Sequence, residues 1–181
     1  IGRITIDDVV DVIRDEAEKD YQMISGIAQD VEITDNMWVL IKARIPWLMI
    51  GLVGGMFGAK IMSGFEGEIG KYPQLAFFAP LVAAMGGNVG VQSSSIVVQG
   101  LANNSLGLES AFYKILKELG IALFNAVIFS TLVLLFNLYF LDSPQLTYTV
   151  SIALFAVIIF ASLIGTSIPL LLNRFKIDPA V

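Results

Sequence analysis

From residue 45 onward the chain alternates four long apolar blocks with short polar stretches. The blocks run over about 45–63, 75–102, 115–141 and 148–172. A helix needs about 20 mostly apolar residues to cross a hydrocarbon core of about 30 Å, so each block predicts a membrane span. The first block starts well into the chain and lacks the short basic leader of a cleaved signal peptide. The fold class this predicts is all-α: a polytopic transmembrane helix bundle preceded by an amphipathic helical region.

The stretch before the first block is soluble in character. In "ITIDDVVDVIRDEAEKDYQMI", Val9, Val12, Ile13 and Ala17 recur at helical spacing, and Asp8, Asp11 and Asp15 form an acidic stripe. "ITDNMWVLIKARIP" predicts a second helix, with Asp35 as its N-cap and Pro46 at its junction with the membrane. Met37, Trp38, Leu40 and Ile41 suit a helix lying at the membrane surface.

Charge sharpens this division. The net charge is −5, but residues 1–35 hold ten of the 16 acids against three bases. An acidic head on a mildly basic membrane body repels phosphate backbones, which argues against a nucleic-acid partner. Lys42 and Arg44 precede the first span, Lys114 and Lys117 separate the second from the third, and Arg174 and Lys176 follow the fourth. The positive-inside rule then places the N-terminus, the 103–114 loop and the C-terminus in the cytoplasm, and "LDSPQLT" outside. With neither Cys nor His in the chain, disulfides, thiolate metal sites and the commonest general base are excluded, so an enzyme is not expected.

Within the second block, "MGGNVGVQSSS" does not suit lipid. In hydrocarbon every backbone polar group is satisfied internally, and irregular or polar stretches survive where they are buried in protein or line a wet cavity. Gly86, Gly87 and Gly90 allow close approach; Asn88, Gln92 and Ser93 add amide and hydroxyl oxygens. Small residues also pack helices together, and that reading alone accounts for the glycines. The glycines together with the two amides point instead to a polar path, with Gly86, Gly87, Asn88, Gly90, Gln92 and Ser93 as its lining. In the first span, Gly51, Gly54, Gly55 and Gly58 contain two overlapping Gly-x-x-x-Gly spacings, which predicts helix packing. Asn125 and Asn137 in the third span suit interhelical hydrogen bonds or lining equally well. No carboxylate is expected in the middle of any span, so the path offers neutral oxygens to a cation that keeps its water shell. Mg²⁺ dehydrates reluctantly and fits that description.

Several segments, "GRITIDDVVDVI", "RIPWLMIGLVGGMFG", "LAFFAPLVAAMGGNVGVQSS", "KELGIALFNA" and "FKIDPAV" among them, together make a chain that resembles the MgtE family of magnesium transporters and channels over nearly its whole length. The resemblance implies a homodimer in the cell (inner) membrane with a Mg²⁺ path at the dimer axis, gated by cytosolic Mg²⁺. It also implies that residues 1–34 are the end of a CBS module with a connecting helix. Residues 35–44 would be part of a plug helix and 45–181 the transmembrane domain, truncated at both ends and lacking the family's fifth span with its principal ion-coordinating aspartate. By the same resemblance Asp8, Asp11 and Asp178 are ligands for regulatory Mg²⁺. The position expected to pair with Asp178 carries Lys19, flanked by Glu18 and Asp20, a departure from the family pattern.

The acidic stripe has a plainer reading, since acids near a helix start favour the helix dipole and solvated acidic faces are common. Two other functions stand beside the channel. One is a non-conducting membrane scaffold whose acidic head binds a partner protein. The other is a neutral-solute transporter, for which the four spans show no inverted repeat.

Overall fold

A computed structural model describes residues 4–27, 31–102, 111–141 and 143–176. Six helices make up these residues: α1 (Ile6–Ile24), α2 (Met37–Ser63), α3 (Glu66–Lys71), α4 (Leu75–Ala102), α5 (Ala111–Phe140) and α6 (Pro144–Arg174). No strand occurs among the described residues. The chain divides into two compact units, one built on α1 and α2 and the other on α3 to α6. The α2, α4, α5 and α6 helices are each long and apolar enough to cross a membrane, and the fold is an all-α, multi-pass bundle.

In the first unit, α1 begins with a reciprocal cap. The Asp8 backbone N–H donates to Thr5 Oγ1 at 3.2 Å, while Asp8 Oδ2 accepts from the Thr5 backbone N–H at 2.8 Å and from its hydroxyl at 2.7 Å. Two otherwise orphaned donors are satisfied, as in a capping box with Asp in the acidic position. After α1, Gly26 adopts φ 79°, a left-handed conformation that glycine enters at no steric cost. The Trp47 indole fills the space a Cβ on Gly26 would need. The Gln22 side-chain amide then clamps the Val31 backbone, donating to its carbonyl at 2.9 Å and accepting from its N–H at 3.0 Å.

The start of α2 lies one residue beyond the sequence expectation. Asn36, not Asp35, is the N-cap, and its side-chain oxygen accepts from Trp38 N–H at 3.2 Å. Asp35 turns back instead and accepts from Glu32 N–H at 2.8 Å. Pro46 does not separate two helices either, because α2 continues through it to Ser63. A proline removes one N–H, toward Lys42, and membrane helices tolerate that loss where the rest of the helix holds. Residues 37–44 and 45–63 are thus one helix, of 27 residues and about 40 Å.

In the second unit α6 is the central element, packed against both α4 and α5. Leu146, Val150, Leu154, Ile158, Ser162, Thr166 and Pro169 recur every three or four residues along its buried seam, as helical periodicity requires. Ala126, Leu154 and Ile158 form the centre of the core, with Met85, Val89, Val133, Phe155 and Ile159 around them. Outside this seam the helices present apolar side chains outward, Phe124, Leu132, Phe160 and Ile168 among them. For a chain in a membrane these suit lipid rather than water. The short α3 helix, between α2 and α4, was not foreseen from the sequence.

Candidate functional site

A helix turns 100° per residue, so a run as short as 86–93 necessarily spreads around its axis. The six residues expected to line a path separate accordingly. Gly86, Gly90 and Ser93, spaced by four and three, lie on the inner side of α4. A Cβ on Gly86 would come 2.8 Å from Val157 Cγ1, and one on Gly90 would sit 3.8 Å from the Ala161 carbonyl oxygen. From the other helix, a Cβ on Gly165 would lie 3.2 Å from Gly90 Cα. These two glycines bring the α4 and α6 backbones together, so within this unit Gly86 and Gly90 are packing residues. Gly87, Asn88 and Gln92 lie on the opposite, exposed side.

That exposed side continues as a stripe. Asn88 and Gln92 are followed at helical spacing by the half-buried Ser95 and the exposed Gln99. Three side-chain amides along one face of an otherwise apolar membrane helix are costly against hydrocarbon, where each lacks hydrogen-bond partners. Chemically, the stripe offers neutral oxygens and amide N–H groups to water or to a hydrated ion. Sequence reasoning named its first half and missed Gln99, which helical periodicity from Asn88 would have found.

Ser93 belongs to a second feature. It is buried, at 5% exposure, and its hydroxyl donates to Glu118 Oε1 at 2.7 Å. The Ser162 hydroxyl donates to the same Glu118 oxygen, and the two serine oxygens are 3.1 Å apart. One residue from each of α4, α5 and α6 therefore meets at a single carboxylate oxygen. Glu118 lies about two turns inside α5, within a helix counted as a membrane span. Sequence reasoning did not single it out, because it sits near the start of the 115–141 block and not in its middle. The signal was available, because an ionisable residue inside an apolar block is by default a functional candidate.

Two buried polar side chains have no partner among the described residues. Thr166 Oγ1 lies one turn beyond Ser162 on α6, and the Asn137 amide on α5 is unsatisfied at both its oxygen and its nitrogen. Asn137 has no exposed surface, whereas Asn125 is half-buried.

The remaining expected sites are less developed. A Cβ on Gly51, Gly54, Gly55 or Gly58 would meet nothing within 4 Å, so nothing inside the first unit packs on that glycine face. Asp8 and Asp11 lie on the exposed first half of α1. The hydrogen bonds from the Thr5 hydroxyl and backbone N–H hold the Asp8 carboxyl below its ordinary range. Asp178 lies outside the described residues. Among the described residues no group of three or more His, Cys, Asp or Glu is arranged to hold a metal ion.

Comparison with known proteins bears on the whole chain. Residues 79–181 match the MgtE family, described as a divalent cation transporter. The full chain is similar to proteins named magnesium transporter MgtE from Thermus thermophilus (33% identical), Bacillus subtilis (31%) and Enterococcus faecalis (30%). All of this chain is covered in each case, but only 40% of each relative's length.

Proposed function

The chain belongs to the MgtE family of divalent cation transporters, and from that premise we propose that its helices form the membrane part of a Mg²⁺ channel or transporter. The path runs along the exposed face of α4, lined by Gly87, Asn88 and Gln92 and extended to Gln99. Two copies of the chain place these faces toward each other across a shared axis in the cell membrane, with the N-terminus in the cytoplasm. The Gly51, Gly54, Gly55 and Gly58 face of α2 packs on another helix of the assembly. The protein is thus a transporter rather than an enzyme.

One observation carries this reading. The α4 helix is long enough to span the membrane and presents amides at 88, 92 and 99 on one exposed side. Such a stripe is stable in a membrane where it meets water, an ion or protein. Amide and hydroxyl oxygens do not replace the inner shell of Mg²⁺ easily, but they hydrogen-bond to the waters that the ion retains.

Cytosolic Mg²⁺ regulates the path through Asp8, Asp11 and Asp178, in a CBS-linked region that includes residues 1–34. This element of the proposal rests on family resemblance. Carboxylates held close repel one another, a divalent ion removes that repulsion, and the ion acts as a brake if it favours the closed arrangement.

The test is Asn88→Leu in the full-length protein. Mg²⁺-dependent growth of a transport-deficient host falls, while the amount of protein in the membrane and its dimer remain. Growth equal to the parent's means that α4 is not the path.

A further inference from the structure

Glu118 is the one carboxylate on α4, α5 and α6. The α4 helix carries no charged residue, α6 carries only Arg174 at its end, and α5 adds Lys114 and Lys117. An anion in this position has two ordinary reasons to exist. It can pair with a cationic side chain, or it can serve as a hydrogen-bond acceptor that fastens helices together.

The first reason fails on geometry. The ion pairs among the described residues are Arg14–Glu18, Lys19–Glu16 and Lys71–Glu68, and none involves Glu118. The second accounts for only part of the arrangement. Both serine hydroxyls converge on Oε1, yet a neutral Gln would accept the same two bonds without bringing a charge into the bundle. One turn along the buried seam of α6 from Ser162, Thr166 is 2% exposed and its hydroxyl has no partner among the described residues. The site therefore has a carboxylate with no ion pair among the described residues and two hydroxyl oxygens 3.1 Å apart.

This is oxygen-only chemistry with a single carboxylate, contributed by three helices. Mg²⁺ is commonly bound through one or two carboxylates while it keeps several waters. We propose that Glu118, held in place by Ser93 and Ser162, is a partly buried cation-binding carboxylate where α4, α5 and α6 meet, and that it takes the hydrated divalent ion. Ser93 sits beside Gln92 in the sequence, so the site joins the inner side of α4 to the helix that carries the exposed amide stripe. The ion needs no dehydration there, because the carboxylate acts on its outer waters and on its charge. The inference rests on the transport reading above.

The test uses the full-length protein in liposomes, with the initial rate of Mg²⁺ entry followed by an indicator dye over a series of external Mg²⁺ concentrations. Glu118→Gln keeps the shape and both hydrogen bonds and removes only the charge. The expected result is an apparent KM raised about tenfold, the scale of one lost charge-assisted contact, with the detergent melting temperature close to the parent's. Glu68→Gln, which removes a carboxylate from α3, leaves KM where it was. Ser93→Ala with Ser162→Ala raises KM less than Glu118→Gln does and lowers the melting temperature more.

A parental KM in Glu118→Gln overturns the proposal and leaves a structural hydrogen-bond node. If Glu118→Gln does not assemble, Glu118→Asp keeps the charge and must still conduct; an assembled Glu118→Asp without uptake overturns it equally. If the parent itself admits no Mg²⁺, the transport reading fails and this inference falls with it.

Discussion

Gly165 of α6 stands against Gly90 of α4 with no room for a side chain: a Cβ built on Gly165 lies 2.5 Å from the Gly90 carbonyl oxygen. The obstacle is backbone, which cannot rotate aside as a flexible side chain does. Gly165→Ala is therefore expected to push the two helices apart and lower stability by about 1–3 kcal/mol, the usual cost of overpacking. Gly87→Ala is its control, since a Cβ there meets nothing within 4 Å and alanine is the better helix former. Melting of the detergent-solubilised protein should separate the two variants. Equal midpoints would mean that α4 and α6 do not meet at these glycines.

Asn137 gives an expectation of opposite sign. Its amide is wholly buried, and neither its oxygen nor its nitrogen has a partner among the described residues. Leaving such a group unpaired costs about 1–3 kcal/mol, and an apolar residue of similar shape removes the penalty. Asn137→Leu should thus leave the melting temperature unchanged or raise it. A marked fall would show that the amide has a partner in the working assembly.

The cap of α1 makes stability depend on pH. Asp8 is held below its ordinary range by the Thr5 hydrogen bonds, so its charged form is favoured in the folded helix. The stabilisation is fully present above the unfolded carboxyl's pKa, which lies near 3.8, and is lost as pH falls through the lower, folded value. Helicity of a peptide covering residues 1–27 should fall on acidification more in the parent than in Asp8→Asn. Identical titrations would mean that the cap does not form in solution.

The spans were legible because each depends on a single average property. Twenty apolar residues in a row specify a membrane helix whatever their order, and the block read as 75–102 is α4 from end to end. Features that depend on direction around a helix were harder to read. The run 86–93 was taken as one lining, whereas helical periodicity sends Gly86, Gly90 and Ser93 to α6 and leaves Gly87, Asn88 and Gln92 exposed. Gly165 gave no sign of its role, which exists only because Gly90 arrives opposite it. Pro46 was read as the junction of a separate helix with the membrane, although one missing N–H does not end a helix of 27 residues. Glu118 was passed over because a charge near the edge of an apolar block resembles a flanking residue. Its significance lies in two serines 25 and 44 residues away in sequence.

The central claim is that the α4 face carrying Asn88 and Gln92 borders a water-filled ion path. These 181 residues hold no Cys, so single cysteines placed among them report without background from this part, and any cysteine elsewhere in the full-length protein is first replaced by Ser. In the full-length protein in membranes, Asn88→Cys and Gln92→Cys are to be treated with a charged, water-soluble thiol reagent, alongside Leu132→Cys on the exposed apolar side of α5. Rapid modification is expected at 88 and 92, slowed by Mg²⁺, and little at 132. Reactivity at 88 and 92 as low as at 132 would contradict it.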